Sequence, residues 1–311
     1  MVSYKYKDTK TSDSMESRDF IGLRGLILKL FENKGIGTPI YKTAIHKILY
    51  KLYTVLPDDN KIRDQLPFYW YNYGPFSEVV AGELSALAES GILVEVTADS
   101  GNTMLQLSGP GEYPDTSDFE EASYHLENIT KNVDLYNIKP FISEMYNNSA
   151  PVKLYPLFKL GFLDPLTKLA DKPIVTRREI SSLERTLYKC EAFLPSDNIF
   201  DDFNESFSSF VTSTARIFDE IDDGEDTGYL TDMCSARTEQ TWMAFTKGVR
   251  ILHHHDYYNQ KVPHWNILYE RSLKTYIRDI EIYYEDVLAD ITRERLKGVF
   301  VLKGGKELLI A

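Results

Sequence analysis

Pro67-Phe68-Tyr69-Trp70-Tyr71-Asn72-Tyr73-Gly74-Pro75-Phe76-Ser77 is the stretch that decides the fold. Its aromatic half has the propensity of a short strand. Gly74-Pro75 makes a sharp turn, and Ser77 stands where a hydroxyl caps a following helix. Downstream, Gly91 ends that helix. Ile92-Leu93-Val94-Glu95-Val96-Thr97 and Thr103-Met104-Leu105-Gln106-Leu107 then flank Asp99-Ser100-Gly101-Asn102, two β-prone runs around a glycine turn that read as a β-hairpin. Upstream, Ile21, Leu23, Leu26, Ile27, Leu30 and Phe31 recur at helical spacing from Phe20 to Asn33, and Lys34-Gly35-Ile36-Gly37 stops the pattern. A second helix opens after Thr38-Pro39 and runs to about Val55, with Ile45, Ile48, Leu49 and Leu52 on one face and Lys42, His46, Lys47 and Lys51 on the other.

The order helix, helix, strand, helix, hairpin predicts a winged helix over residues 20–110, its three helices sharing a core and its hairpin forming the wing. Residues 1–19 are polar and lack apolar periodicity, so they are expected to be a flexible tail. Residues 111–311 predict a larger all-helical domain. Helical spacing occupies 117–133. Bends follow at Pro140, Pro151, Pro156, Pro165 and Pro173, and Thr176-Arg177-Arg178-Glu179 is a capping box that starts a helix to about Phe193. More helices are expected through Phe203, Phe207 and Phe210 and from 229 to 251. A long C-terminal helix runs from Pro263 to about Lys297, with Leu273, Tyr276, Ile277, Ile280, Tyr284, Val287 and Ile291 in a stripe. Val299-Phe300-Val301-Leu302 and Glu307-Leu308-Leu309-Ile310 around Lys303-Gly304-Gly305-Lys306 read as a terminal β-hairpin or an adding strand.

On Ile45-His46-Lys47-Ile48-Leu49-Tyr50 and, above all, Tyr73-Gly74-Pro75-Phe76-Ser77, the N-terminal third resembles the winged-helix domain of the Panacea-type antitoxin family. The resemblance implies toxin neutralisation or membership of a prokaryotic defence locus. The middle subunits of Lamassu-type three-component defence systems, built around an ATPase, are a setting suggested by analogy.

The charge is unevenly distributed. Of the net −12, residues 1–110 hold 12 Lys and Arg against 13 Asp and Glu, and the remainder holds 23 against 34. Phosphate binding draws its affinity from clustered cations, so an extended nucleic-acid track is disfavoured. Two cysteines, Cys190 and Cys234, exclude a disulfide framework and suit a reducing compartment. With no apolar leader and no membrane-length apolar run, the expected location is the cytoplasm.

The outer face of the third helix shows Glu78, Gly82, Ser85, Ala86 and Glu89, and no cation to grip a polyanion. Small residues let another backbone approach closely, so this face is the first candidate for partner binding, the plain alternative being a solvated surface packed on the chain's own C-terminal domain. Tyr276, Ile280 and Tyr284 are the second candidate, on a long helix whose stripe suits either a core helix or a partner-binding one. Lys42, His46, Lys47 and Lys51 are the candidate phosphate contacts, although four such residues on an exposed face are more often simple solubilising charge.

Catalytic chemistry finds little support. His253-His254-His255-Asp256 supplies one well-spaced pair, short of the three or four ligands that a metal needs. The acidic run from Asp219 places Ile221 and Leu230 at calcium-ligand positions when Gly224 takes the obligatory glycine. Phosphate-binding loops, nucleophile elbows and His-Glu-x-x-His helices are absent from the sequence. The expectation is a non-enzymatic accessory or adaptor subunit of a defence or toxin-regulating complex, without a cofactor, that meets other protein subunits such as an ATPase or nuclease component. Nucleic acid would be reached through that complex, and no membrane is engaged. A DNA-binding regulator or antitoxin is the first alternative, and a metal-dependent enzyme with a dispersed site is the second.

Overall fold

The computed structural model describes residues 20–98, 101, 103–170, 172, 175–220 and 228–307. The expected tail, Asp99, Ser100 and Asn102 of the hairpin tip, and the acidic run from Ile221 to Asp226 lie outside these residues. The chain is mainly helical with small sheets.

Helix α1 (Ile21–Lys34) buries Leu23, Leu26, Ile27, Leu28, Leu30 and Phe31. Apolar side chains therefore cover most of its circumference, and the first part of the chain packs around it. Gly25 permits that approach: a Cβ there would meet the Phe119 ring at 2.8 Å and the Pro114 ring at 2.9 Å.

Strand β1 (Ile40–Tyr41) leads into α2 (Lys42–Val55). Next come β2 (Tyr69–Tyr71) and β3 (Gly74–Phe76), an antiparallel pair in which Trp70 faces Pro75, and then α3 (Glu78–Glu89). The turn into β3 needs Gly74, whose φ of 84° is a conformation that side-chain-bearing residues rarely adopt. The Ser77 hydroxyl caps α3 by accepting from Val80 N at 3.2 Å. Strands β4 (Leu93–Thr97) and β5 (Thr103–Leu107) form the expected hairpin. Leu93, Leu105 and Leu107 point inward from it while Val94 is exposed, the alternation of a sheet with one wet face. Ile40 pairs with Leu105, so the short β1 joins the hairpin in a three-stranded sheet of order β1-β5-β4. Sequence periodicity assigned Ile40 and Tyr41 to the second helix. Pairing with β5 makes them a strand instead.

Helix α4 (Ser117–Asn132) packs back onto α1 and α2 through Phe119, Ala122 and Leu126. Helices α5 (Lys139–Ser149) and α6 (Leu154–Phe158) follow, then a π-helical turn at Lys159–Leu163 and α7 (Asp164–Ala170). Helix α8 (Arg177–Glu191) begins with the expected capping box: Thr176 N donates to the Glu179 carboxylate at 3.0 Å, and Glu179 N to Thr176 Oγ1 at 3.4 Å. Helices α9 (Asp201–Glu220), α10 (Gly228–Leu252) and α11 (Val262–Glu307) pack on one another. Their shared core is phenylalanine-rich. Phe203, Phe207 and Phe210 of α9 bury one face, and Tyr276 of α11 stacks on Phe203 at 5.5 Å.

The expected terminal hairpin does not form where residues are described, since α11 continues to Glu307. An isolated two-stranded hairpin is marginal in water, whereas a helix satisfies its backbone groups within its own segment.

The aromatic run is held by the C-terminal helices as much as by its own neighbours. Trp70 N donates to the His253 carbonyl at 3.1 Å, and His255 N to the Phe68 carbonyl at 2.8 Å. Trp242 Nε1 donates to the Asn72 carbonyl at 3.0 Å. The buried Tyr155 hydroxyl donates to the Tyr71 carbonyl and accepts from Gly74 N at 2.6 Å. Arg250 is sandwiched between the Tyr71 and Trp265 rings, 4.6 Å from each centroid. One continuous apolar core accordingly runs from Leu23 to Val287.

Candidate functional site

Helix α3 turns Val80, Leu84 and Leu87 inward at helical spacing. That places Gly82, Ser85, Ala86 and Glu89 on the exposed side, as expected. A Cβ on Gly82 would meet open space, so no neighbouring side chain covers the helix there. Glu78 is half-buried at the start of the helix and ion-paired with Lys261 from the approach to α11. Glu83 pairs with Arg24 of α1 at 3.0 Å. The exposed face continues past Gly91 onto Ile92 and Val94. Its small residues leave room for another backbone, and the two cations beside it, Lys261 and Arg24, are already paired with its own carboxylates.

The cations of α2 are placed differently from the expectation. His46 is 5% exposed and Lys47 is 4% exposed, so neither is a surface phosphate contact. The reason is tertiary: the turn from Gly74 to Ser77 lies across this side of α2, and Phe76 stacks on the His46 ring at 4.5 Å. Lys47 Nζ donates to the Pro75 carbonyl at 2.9 Å, and Ser77 N donates to His46 Nδ1 at 3.4 Å. Lys42 pairs with Glu95 of β4 at 2.7 Å, and Lys51 is half-exposed. Burial pushes the Lys47 amine down to about 7. Burial first, and the neighbouring Lys47 charge second, push His46 down to about 3. His46 is therefore neutral, and with Nδ1 accepting, its ring carries the proton on Nε2.

A cavity of about 350 Å³ opens beside these two residues, bounded by α2, the β2–β3 hairpin and α3. Tyr71, Tyr73, Phe76 and Leu84 supply most of its apolar wall, and Ser85 reaches it from the α3 face. The sequence reading missed this site. Its one signal was Lys47 itself, a cation set among Ile45, Ile48 and Leu49.

The second candidate surface also changes. Tyr276 and Ile280 are fully buried, and Tyr284 is half-buried beneath Arg216 of α9, with 5.8 Å between guanidinium and ring. The stripe is therefore the seam of α11 against α9 and α10, and Tyr276 and Ile280 are unavailable to a partner.

The histidines have local structural tasks. His253 gives its carbonyl to Trp70 N, His254 Nε2 pairs with Asn259 Oδ1 at 3.0 Å, and His255 Nδ1 accepts from Tyr257 N at 3.1 Å. Among the described residues, no three His, Cys, Asp or Glu side chains converge to hold a metal. Nor is any helix there long and apolar enough to cross a membrane. Cys190 and Cys234 are buried, and burial pushes both thiols up to about 12. That leaves almost no thiolate for nucleophilic chemistry near neutral pH.

Comparison with family models, with curated proteins and with solved structures gave no match.

Proposed function

We propose that the protein is a non-enzymatic adaptor that docks another polypeptide on the outer face of α3. The observation that carries this reading is the face itself, in which Gly82, Ser85 and Ala86 lie exposed and the helix carries no cation of its own. In this reading residues 20–110 are a winged helix. Support comes from the order α1, α2, α3, hairpin, from the Ser77 cap and from the pairing of Ile40 with Leu105, which ties the wing to the helices. The resemblance carried by Tyr73-Gly74-Pro75-Phe76-Ser77 favours a prokaryotic defence or toxin-regulating complex as the setting.

The alternative of a DNA-binding regulator is weakened by the same geometry. Two of its four candidate cations are buried, and a third is ion-paired with Glu95. Titration of duplex DNA against the full chain at low and physiological salt tests both readings. The adaptor reading expects no nanomolar binding, and expects a partner retained by the native chain to be lost on Ala86→Arg with unchanged thermal stability. Nanomolar duplex binding that weakens in Lys42→Glu and Lys51→Glu would replace it with the regulator.

A further inference from the structure

The cavity between α2, the β2–β3 hairpin and α3 holds a buried amine that no anion among the described residues pairs with. Lys47 Nζ meets the Pro75 carbonyl at 2.9 Å, a single neutral acceptor for a group with three donor hydrogens. No carboxylate is among the residues lining the cavity. Burying an ammonium without a counter-charge costs several kcal/mol, and a methionine of similar length would fill the same space without that cost. Beside it His46 also lines the cavity, a neutral ring that accepts from Ser77 N through Nδ1 and so keeps a donor hydrogen on Nε2. The remaining wall is mostly apolar and carries three aromatic rings, those of Tyr71, Tyr73 and Phe76. Tyr73 is 68% exposed, and Lys42 with its partner Glu95 adds a polar element.

A mostly apolar hollow with one or two convergent polar groups is how small-ligand sites are built, and about 350 Å³ falls at the small end of their usual range. The polar groups decide the ligand class. Two donors, one of them ionisable, ask for an acceptor bearing negative charge, and flat aromatic walls ask for a flat apolar body. We propose that this cavity binds a small carboxylic acid with one aromatic ring, its carboxylate on Lys47 and His46 and its body between Tyr71, Tyr73, Phe76 and Leu84. The site is separate from the docking reading and stands without it, although Ser85 belongs to both surfaces.

The test uses the full-length chain and three probes of one shape: phenylacetate, 2-phenylethanol and phenethylamine. Each is titrated by calorimetry or ligand-observed NMR. Phenylacetate is expected to bind saturably, at least about tenfold more tightly than the alcohol, a preference of about 1.4 kcal/mol or more. The amine is expected not to bind. Lys47→Met should reduce the acid's affinity to that of the alcohol. Ala81→Leu adds bulk to the cavity wall from α3 without changing charge, and should weaken both probes. Absence of saturable phenylacetate binding, equal affinity for acid and alcohol, or an unchanged acid affinity in Lys47→Met would each overturn the proposal. The comparison of the three probes needs only the native chain, so it decides the matter even if a variant folds poorly.

Discussion

Replacing Lys47 by methionine should make the protein more stable, and the gain should depend on pH in a defined way. The amine falls from 10.5 in the unfolded chain to about 7 in the fold. At 1.36 kcal/mol per unit, that gap corresponds to a burial penalty of roughly 5 kcal/mol. Below about pH 7 the amine is protonated in both states and the whole penalty stands. Between about pH 7 and 10.5 the folded amine has lost its proton while the unfolded one keeps it, so stability climbs with pH; above 10.5 the penalty is gone. Methionine carries no proton and lacks the climb. It also gives up the bond to the Pro75 carbonyl, worth about 1 kcal/mol, so the net gain near pH 6 is about 2–4 kcal/mol. Near pH 10 the gain should vanish or reverse. The other ionisable groups at the cavity, His46 and Lys42 on α2 and Tyr71 and Tyr73 beyond it, are common to both chains, and burial outweighs the Lys47 charge in lowering His46, so Lys47 dominates the difference between the two curves. Guanidinium unfolding followed by tryptophan fluorescence at about pH 6, 8 and 10 measures it. A variant less stable than the native chain at pH 6, or two parallel pH profiles, would refute the placement of this amine in a dry, uncompensated position.

Three further outcomes follow from the geometry around the aromatic run. Tyr155→Phe removes the oxygen that accepts from Gly74 N at 2.6 Å and leaves a buried N–H without a partner; a loss of about 1–3 kcal/mol is expected in denaturant titration, and an unchanged midpoint would contradict it. Gly74→Ala places a methyl 2.5 Å from the Tyr146 ring at a φ of 84°, so a loss of at least about 2 kcal/mol is expected from the same assay. Cys190 and Cys234, buried with thiols near 12, should resist Ellman's reagent at about pH 8 in the folded chain and both react in denaturant; rapid labelling of either in the native protein would contradict their burial.

Local chemistry was readable before the structure. The Ser77 cap, the Thr176–Glu179 capping box and the two runs around Gly101 each carry their signal within a few residues, and each appears where expected. Tertiary choices were not readable. The face of α2 with Lys42, His46, Lys47 and Lys51 looked like a solvated side because helical spacing separates it from Ile45 and Ile48. Only the later turn at Gly74-Pro75 covers His46 and Lys47, and nothing in residues 42–55 encodes that cover. The same holds for Tyr276 and Ile280. A stripe of threes and fours says that one side of a helix is covered, but not whether the cover comes from another chain or, as here, from Phe203 and its neighbours in α9.

The pinning of the aromatic run has a consequence during synthesis. The hydroxyl of Tyr258 donates to the Pro67 carbonyl at 3.2 Å, and it also accepts from Glu78 N at 3.0 Å across 180 residues of sequence. At a ribosomal rate of about 5–20 residues per second, Tyr69, Trp70 and Tyr71 emerge some ten to forty seconds before the helices that shelter them. A nascent chain in that interval displays a bare aromatic ribbon edge, the kind of surface that holding chaperones cover and that drives clumping when they are scarce.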